Sequence, residues 1–259
     1  MSDTTTTVCF ATLSAGQPLL AHVNSLLEIH PRTALGPEFE VVNVITAQSG
    51  PYLDVGRNDL VANALAQSTA DWFIWLDDDV QFTPDAARTL LSTAIAMSRE
   101  FASGPYASWD PIFGPCIVAY RLTDFDPDIH PEKMEPHRLA DGRFFHPIPL
   151  DACPTAPTDV SSFGAGFMAT SRVMLEDMQS KFANPQPWFA EQVIPGVNGG
   201  IWLGEDHIFC MRAHHIGYPP LLVPDAKVTH IKRTHLQIPD PTRTYDGDSP
   251  TLVKNPGSP

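Results

Sequence analysis

A chain of 259 residues, 43% hydrophobic and 18% charged, has a globular composition and enough length to bury a full core. Its net charge of -14 disfavours a large basic groove for nucleic acid, and an acidic chain that handles phosphates calls for a metal ion to invert the local field. The opening MSDTTTTV lacks the character of a secretory leader, no apolar run reaches the length of a membrane span, and Cys9, Cys116, Cys153 and Cys210 are scattered without a CxxC. A soluble, cytoplasmic protein with reduced thiols is expected.

The pattern predicts a first strand at residues 7–12, a Ser14-Ala15-Gly16 turn and a helix over 18–29. The stripe Leu19, Leu20, Val23, Leu26 and Leu27 is the face of that helix expected to bury. A second strand covers 40–46. A helix over 57–68 follows, with Leu60, Val61, Ala64 and Leu65 on one face. Arg57 and Asn58 open it, and an Arg beside a helix N-terminus makes an anion site.

Next comes DWFIWLDDDV at 71–80. Trp72-Phe73-Ile74-Trp75-Leu76 is apolar at successive positions, as in a strand buried on both faces. Asp77, Asp78 and Asp79 then fall at its carboxyl end, where open α/β sheets bind ligands. Three adjacent carboxylates repel one another unless something compensates them. A divalent cation holding a phosphorylated ligand is one reading, and a solvated acidic turn ahead of the next helix is the other. Thr83-Pro84-Asp85 starts that helix, which runs to about residue 100.

Residues 104–115 read as a loop and 115–120 as a short strand. Residues 121–158 carry many Pro, Asp and His with little periodicity. They read as a long irregular stretch suited to acceptor contacts or a lid. Residues 159–170 form a strand, a Gly164-Ala165-Gly166 break and a second strand, the glycines letting backbone and ligand approach closely. A helix follows at 171–181, then a Pro/Gly/Trp-rich loop over 183–203. Gly204-Glu205-Asp206 opens a helix to His215, closed by Gly217. Short strands are expected at 221–223 and 227–231, the second holding His230, and a Pro-rich tail follows His235.

The order of these features is more specific than any one of them. VGRNDLVANALAQSTADWFIWLDDDV at 55–80, FGAGFMATSRVML at 163–175 and GEDHIFCMRAHHIGYPPLLVPDAKVTHI at 204–231 together resemble the glycosyltransferase-A fold, and within it the family-two-like nucleotide-sugar glycosyltransferases. The resemblance implies an α/β class: a single Rossmann-like catalytic domain with a mixed central sheet over 1–235, and a tail over 236–259. It implies a metal-dependent glycosyltransferase, moving a sugar such as a hexose from a nucleotide-sugar donor to an acceptor hydroxyl with inversion. Asp77 and Asp79 match the Asp-x-Asp pair that handles ribose and metal, Asp79 as the direct ligand. His230 matches a His that completes the metal sphere. Arg57 and Asn58 match the segment lining the nucleotide pocket, and Asp78 belongs to the same pocket, turned from the metal. Gly164, Ala165 and Gly166 match the floor of the sugar and acceptor site. Asp206 matches the general base, with Glu205 beside it, and Lys232 is placed to close over the diphosphate.

The implied cofactors are Mn(II) or Mg(II) and a nucleotide sugar, UDP-sugar favoured over GDP-sugar. The acceptor is a glycan, a protein or a modified nucleobase, with nucleic acid disfavoured by charge. Stand-alone enzymes of this appearance also occur in bacteriophages, where the compartment would be the host cytoplasm. A metal would stabilise charge on the leaving diphosphate, and a carboxylate at a helix N-terminus can take the acceptor proton. Two other readings use the same acids: a nucleotidyltransferase or phosphohydrolase with two metals, and a non-catalytic nucleotide-sugar-binding module that has no need of Asp206. Retaining enzymes of the same fold carry a similar acidic pair and His, so the stereochemistry stays open.

Overall fold

The computed structural model describes residues 5–30, 32–110, 112–126, 128, 132–182 and 186–231. In chain order the elements are β1 (Thr6–Ser14), α1 (Leu20–Glu28), β2 (Phe39–Gln48), α2 (Leu53–Gln67), β3 (Trp72–Asp77), β4 (Val80–Gln81), α3 (Pro84–Ala96), β5 (Phe101–Ser103), β6 (Ala107–Asp110), β7 (Gly114–Asp124), β8 (Arg143–Pro149), β9 (Thr158–Asp159), β10 (Ser162–Phe163), β11 (Phe167–Ser171), α4 (Arg172–Lys181), β12 (Gln192–Gly196), β13 (Gly199–Leu203), α5 (Glu205–His215), β14 (Leu221–Leu222) and β15 (Thr229–His230).

The main sheet has seven strands in the order β2-β1-β3-β11-β5-β14-β9. It is mixed: β1 runs parallel to β2 and β3, while β11 runs antiparallel to β3 and β5. β3 lies inside this sheet, and its side chains divide between the two faces. Trp72, Ile74 and Leu76 join Ala86, Ala87, Leu90 and Leu91 of α3 in one core. Phe73 and Trp75 join Leu60, Val61 and Ala64 of α2, Met174 and Met178 of α4, and Phe209 of α5 in the other. An unbroken apolar run is therefore what this position requires. Each large side chain buried here contributes roughly 1.5–3 kcal/mol. The run stops at Asp77 because the sheet stops there, and the acids stand at its carboxyl edge.

A second sheet, β10-β7-β6 with β8 also paired to β7, takes in residues 121–124 and 143–149 of the stretch expected to be irregular. Pro147 and Pro149 blur its strand pattern, yet β8 is an edge strand, where proline is tolerated. Residues 192–203, expected as loop, form the hairpin β12–β13.

Two helices depart from expectation. In α1 the buried positions are His22 and Ser25, while Leu20 and Leu27 are 74% and 63% exposed. The buried polar groups are satisfied: Nδ1 of His22 lies 2.8 Å from the Val80 carbonyl oxygen, and Oγ of Ser25 accepts from the Phe82 N–H at 3.1 Å. In α2 the helix begins at Leu53, four residues earlier than predicted, so Arg57 sits inside it rather than at its N-terminus. Among the described residues no helix is long and apolar enough to cross a membrane.

Candidate functional site

The three acids that end β3 are dealt to three different partners. Asp77 faces inward to Arg57, whose Nη2 lies 2.9 Å from Oδ1 and 3.3 Å from Oδ2. Asp78 turns to the exit of β1, where its Oδ2 accepts from the Ser14 hydroxyl at 2.7 Å and the Ala15 N–H at 3.0 Å. Asp79 meets His230, Nε2 standing 3.1 Å from Oδ2. This division is the physical answer to the repulsion among adjacent carboxylates: each is compensated by a separate cation, donor pair or imidazole.

Arg57 is 7% exposed and carries a second carboxylate, Glu205, with Nε 3.3 Å from Oε1. Burial opposes its charge, but Asp77, Glu205 and Asp206 outweigh that penalty and hold the guanidinium above its ordinary pKa. Glu205 is 8% exposed, and burial, reinforced by Asp206 and opposed by Arg57, raises its carboxyl above the ordinary 4.5. Glu205 pairs with Arg57, while Asp206 follows it in the first turn of α5. The expected anion site at a helix start is also corrected: Arg57 reaches the acids from the second turn of α2.

Asn58 does not face the acids. Its Nδ2 donates to the carbonyls of Asp54 and Phe189, both at 2.7 Å, and its Oδ1 accepts the N–H groups of Trp188 and Phe189 at 3.3 Å. It fixes the segment whose Phe189 ring lies 5.6 Å under the Arg57 guanidinium.

Asp206 lies in the first turn of α5, where unpaired N–H groups favour a carboxylate; its Oδ1 accepts the N–H of His207 at 2.8 Å. Its charge bears on Arg57, Glu205, Tyr106 and His207, which ties it electrostatically to the Asp77 side of the site. Gly164 and Gly166 flank Ala165 in the turn between β10 and β11. A Cβ on Gly164 would lie 2.2 Å from the Tyr106 hydroxyl, and one on Gly166 would lie 3.1 Å from both that hydroxyl and Oδ2 of Asp77. The close approach that demands these glycines is made by Tyr106 and Asp77. Lys232, expected over the diphosphate, and the tail lie outside the described residues.

Three participants carried no sequence signal. Tyr106 lies in a stretch read as loop, 6% exposed, its hydroxyl accepting the Gly166 N–H at 3.2 Å. Ser14 falls in a Ser-Ala-Gly turn, a signal for chain reversal alone. His207 packs between the rings of Tyr120 and Phe145 at 4.7 and 4.8 Å, with Nδ1 2.7 Å from the Ser162 hydroxyl. A lone Tyr, Ser or His has no spacing that marks it; the one hint was the pair of glycines at 164 and 166, which imply a bulky neighbour.

A cavity of about 550 Å³ opens beside the acids, lined by Ala15, Gly16, Gln17, Gln48, Asp78 and Asp79. Its size suits a small-molecule ligand. Among the described residues no three acidic, His or Cys side chains converge as a metal cage. Asp79 and His230 do fit two positions of a cation such as Mn(II), which accepts carboxylate and imidazole and, like Mg(II), takes further oxygens from phosphates and water. Asp77 is not gathered with them, being held by Arg57.

No protein-family model and no curated protein matches this sequence. Solved structures do resemble the fold. GalNAc-T7, crystallised with UDP, GalNAc and Mn2+, aligns over 90% of this chain and 45% of its own at a TM-score of 0.53 and 13% identity. A197 from STIV aligns over 90% and 98% at 0.49 and 15%, and the mannosyltransferase PcManGT from Pyrobaculum calidifontis, with GDP-Man and Mn2+, over 86% and 56% at 0.45 and 12%. The chain spans less than half of GalNAc-T7, and that likeness concerns the fold alone. The fold is α/β of the glycosyltransferase-A type, with the mixed central sheet that the sequence led us to expect.

Proposed function

We propose that this chain is a metal-dependent glycosyltransferase that moves a sugar from a nucleoside-diphosphate donor to an acceptor hydroxyl, with inversion. The observation that carries the reading is the division of Asp77, Asp78 and Asp79 at the carboxyl edge of β3, with Asp79, the partner of His230, lining a ligand-sized cavity. Asp79 and His230 are the residues that would hold Mn(II) or Mg(II). A bound cation supplies Lewis-acid stabilisation of the charge that develops on a leaving diphosphate.

The chain's own residues account for the rest. Asp78, braced by Ser14 and Ala15, shapes the wall of the nucleotide cavity together with Gln17 and Gln48. Arg57 holds Asp77 in place and places a positive charge beside the acids. Asp206, at the positive end of α5, takes the proton from the acceptor hydroxyl. Glu205 restrains Arg57 and so links α5 to β3. A UDP-sugar is the donor we propose ahead of a GDP-sugar, and the acceptor is a glycan, a protein or a modified nucleobase.

Calorimetric titration of UDP- and GDP-sugars, with and without Mn(II), tests the reading. One of these donors should bind only when Mn(II) is present, and Asp79→Ala should abolish the metal requirement together with the tight binding. Failure of every donor to bind in the presence of metal would sink the proposal. Two-metal hydrolysis of simple nucleotides without sugar transfer would instead place the chain among phosphohydrolases.

A further inference from the structure

Asp77 and Asp79 are two residues apart, yet they leave the sheet in different directions. Asp77 ends β3, and its N–H donates to the carbonyl of Gly166 at 3.1 Å. Asp79 belongs to the turn into β4, a two-residue strand that among the described residues pairs only with β15, which carries His230. The turn backbone is anchored on β1 and α1, through Asp78 to Ser14 and Ala15 and through the Val80 carbonyl to His22, while the Asp79 side chain meets His230.

Tyr106 stands between these limbs. On one side its hydroxyl accepts the N–H of Gly166, the residue whose carbonyl receives the Asp77 N–H. On the other its ring meets the His230 ring edge-on, with centroids 5.2 Å apart and planes at 83°. Tyr106 itself is firmly mounted, for its carbonyl accepts the Val118 N–H at 3.0 Å and the preceding Pro105 carbonyl accepts from Val228 at 3.3 Å. Gly164 and Gly166 leave room for its hydroxyl and for nothing larger. Burial, with Asp77 and Asp206 adding to it, keeps the phenol un-ionised well above its usual range, so the wedge adds no further negative charge beside the acids.

We propose that Tyr106 is a positioning residue that fixes His230, and with it the Asp79–His230 pair, against the end of β3, and thereby sets the affinity of the site for a metal–nucleoside diphosphate. The proposal rests on the transferase reading above. It assigns Tyr106 no contact with substrate; it acts through Gly166 and His230.

The test is titration of Mn(II), followed by electron paramagnetic resonance, with and without a nucleoside diphosphate. Tyr106→Phe keeps the ring against His230 but leaves the Gly166 N–H without its partner. Gly166→Ala pushes on Tyr106 and Asp77 from the other side. Both variants should weaken Mn(II)–nucleotide binding about tenfold, the scale of one lost buried hydrogen bond. Phe39→Leu, a core truncation in β2, controls for general loosening and should bind as wild type. The proposal is overturned if Tyr106→Phe and Gly166→Ala bind like wild type, or if Phe39→Leu weakens binding equally. Wild-type protein that binds Mn(II)–nucleotide while Tyr106→Phe is unaffected overturns this inference alone. Wild-type protein that binds no Mn(II)–nucleotide overturns it together with the transferase reading.

Discussion

Arg57 reaches Asp77 across 2.9 Å with 8% of its own side chain and 32% of the Asp77 side chain exposed, so α2 and β3 are joined by an ion pair buried at its arginine end and open to water at its carboxylate end. The same guanidinium holds the more deeply buried Glu205, which makes a partly buried cluster of one cation and two carboxylates. Removing one partner of a buried pair strands the others without compensation. Arg57→Ala is therefore expected to cost about 3–5 kcal/mol in urea unfolding. Arg57→Lys keeps the charge but cannot present the forked donors to both carboxylates, and it should recover only part of that loss. An Arg57→Ala variant as stable as wild type would show that the cluster contributes nothing.

Asn58 should act on stability rather than on ligand binding. Its amide closes hydrogen bonds to the backbone of Asp54, Trp188 and Phe189, and Asn58→Ala would leave those buried groups unpaired. The expected cost is about 2–4 kcal/mol, since each buried group left unsatisfied costs roughly 1–3 kcal/mol and some recover water. Amide hydrogen exchange at Trp188 and Phe189 should accelerate selectively. Unchanged exchange there would contradict the role.

His207 makes stability depend on pH. Burial lowers its pKa from the ordinary 6.5, with Asp206 opposing but not cancelling the effect. Below pH 6.5 the unfolded chain takes up a proton that the folded chain refuses, and the unfolded state is favoured. Above that value both states are neutral at this position and the contribution is flat. Stability should thus decline as the pH falls below 6.5, and His207→Phe should flatten that limb relative to wild type. Parallel urea titrations at pH 5.5 and 7.5 measure the difference. An identical pH slope in both proteins would remove His207 from the account.

How much of this was legible in the sequence depended on whether the local pattern and the tertiary role agreed. β3 was readable because a strand with cores on both sides must be apolar at every position, and its acids mark where the sheet ends. The start of α5 was readable because Gly204, the acids and Gly217 punctuate it on both sides. The start of α2 was hidden because Tyr52 offers no capping side chain, so nothing marks Leu53. The face of α1 was misread because it buries hydrogen-bonded His22 and Ser25 while presenting leucines outward. Within the site, the sequence named the acids, Arg57 and His230 but not their pairing. Which carboxylate meets Arg57 and which meets His230 is set by the way β3 and the turn after it diverge, a long-range property with no local signature. Tyr106 carries no local mark for the same reason, since its partners come from the turn before β11 and from β15.

The central claim is that Asp206 removes the acceptor proton while Asp79 and His230 serve the donor side. The most direct measurement is steady-state sugar transfer by wild type and Asp206→Asn with one donor, one acceptor hydroxyl and saturating Mn(II). The account predicts that kcat falls about 10²–10⁴-fold in Asp206→Asn while the KM for the nucleotide sugar stays unchanged. Full transfer activity in Asp206→Asn, or a loss seen only in the donor KM, would contradict it.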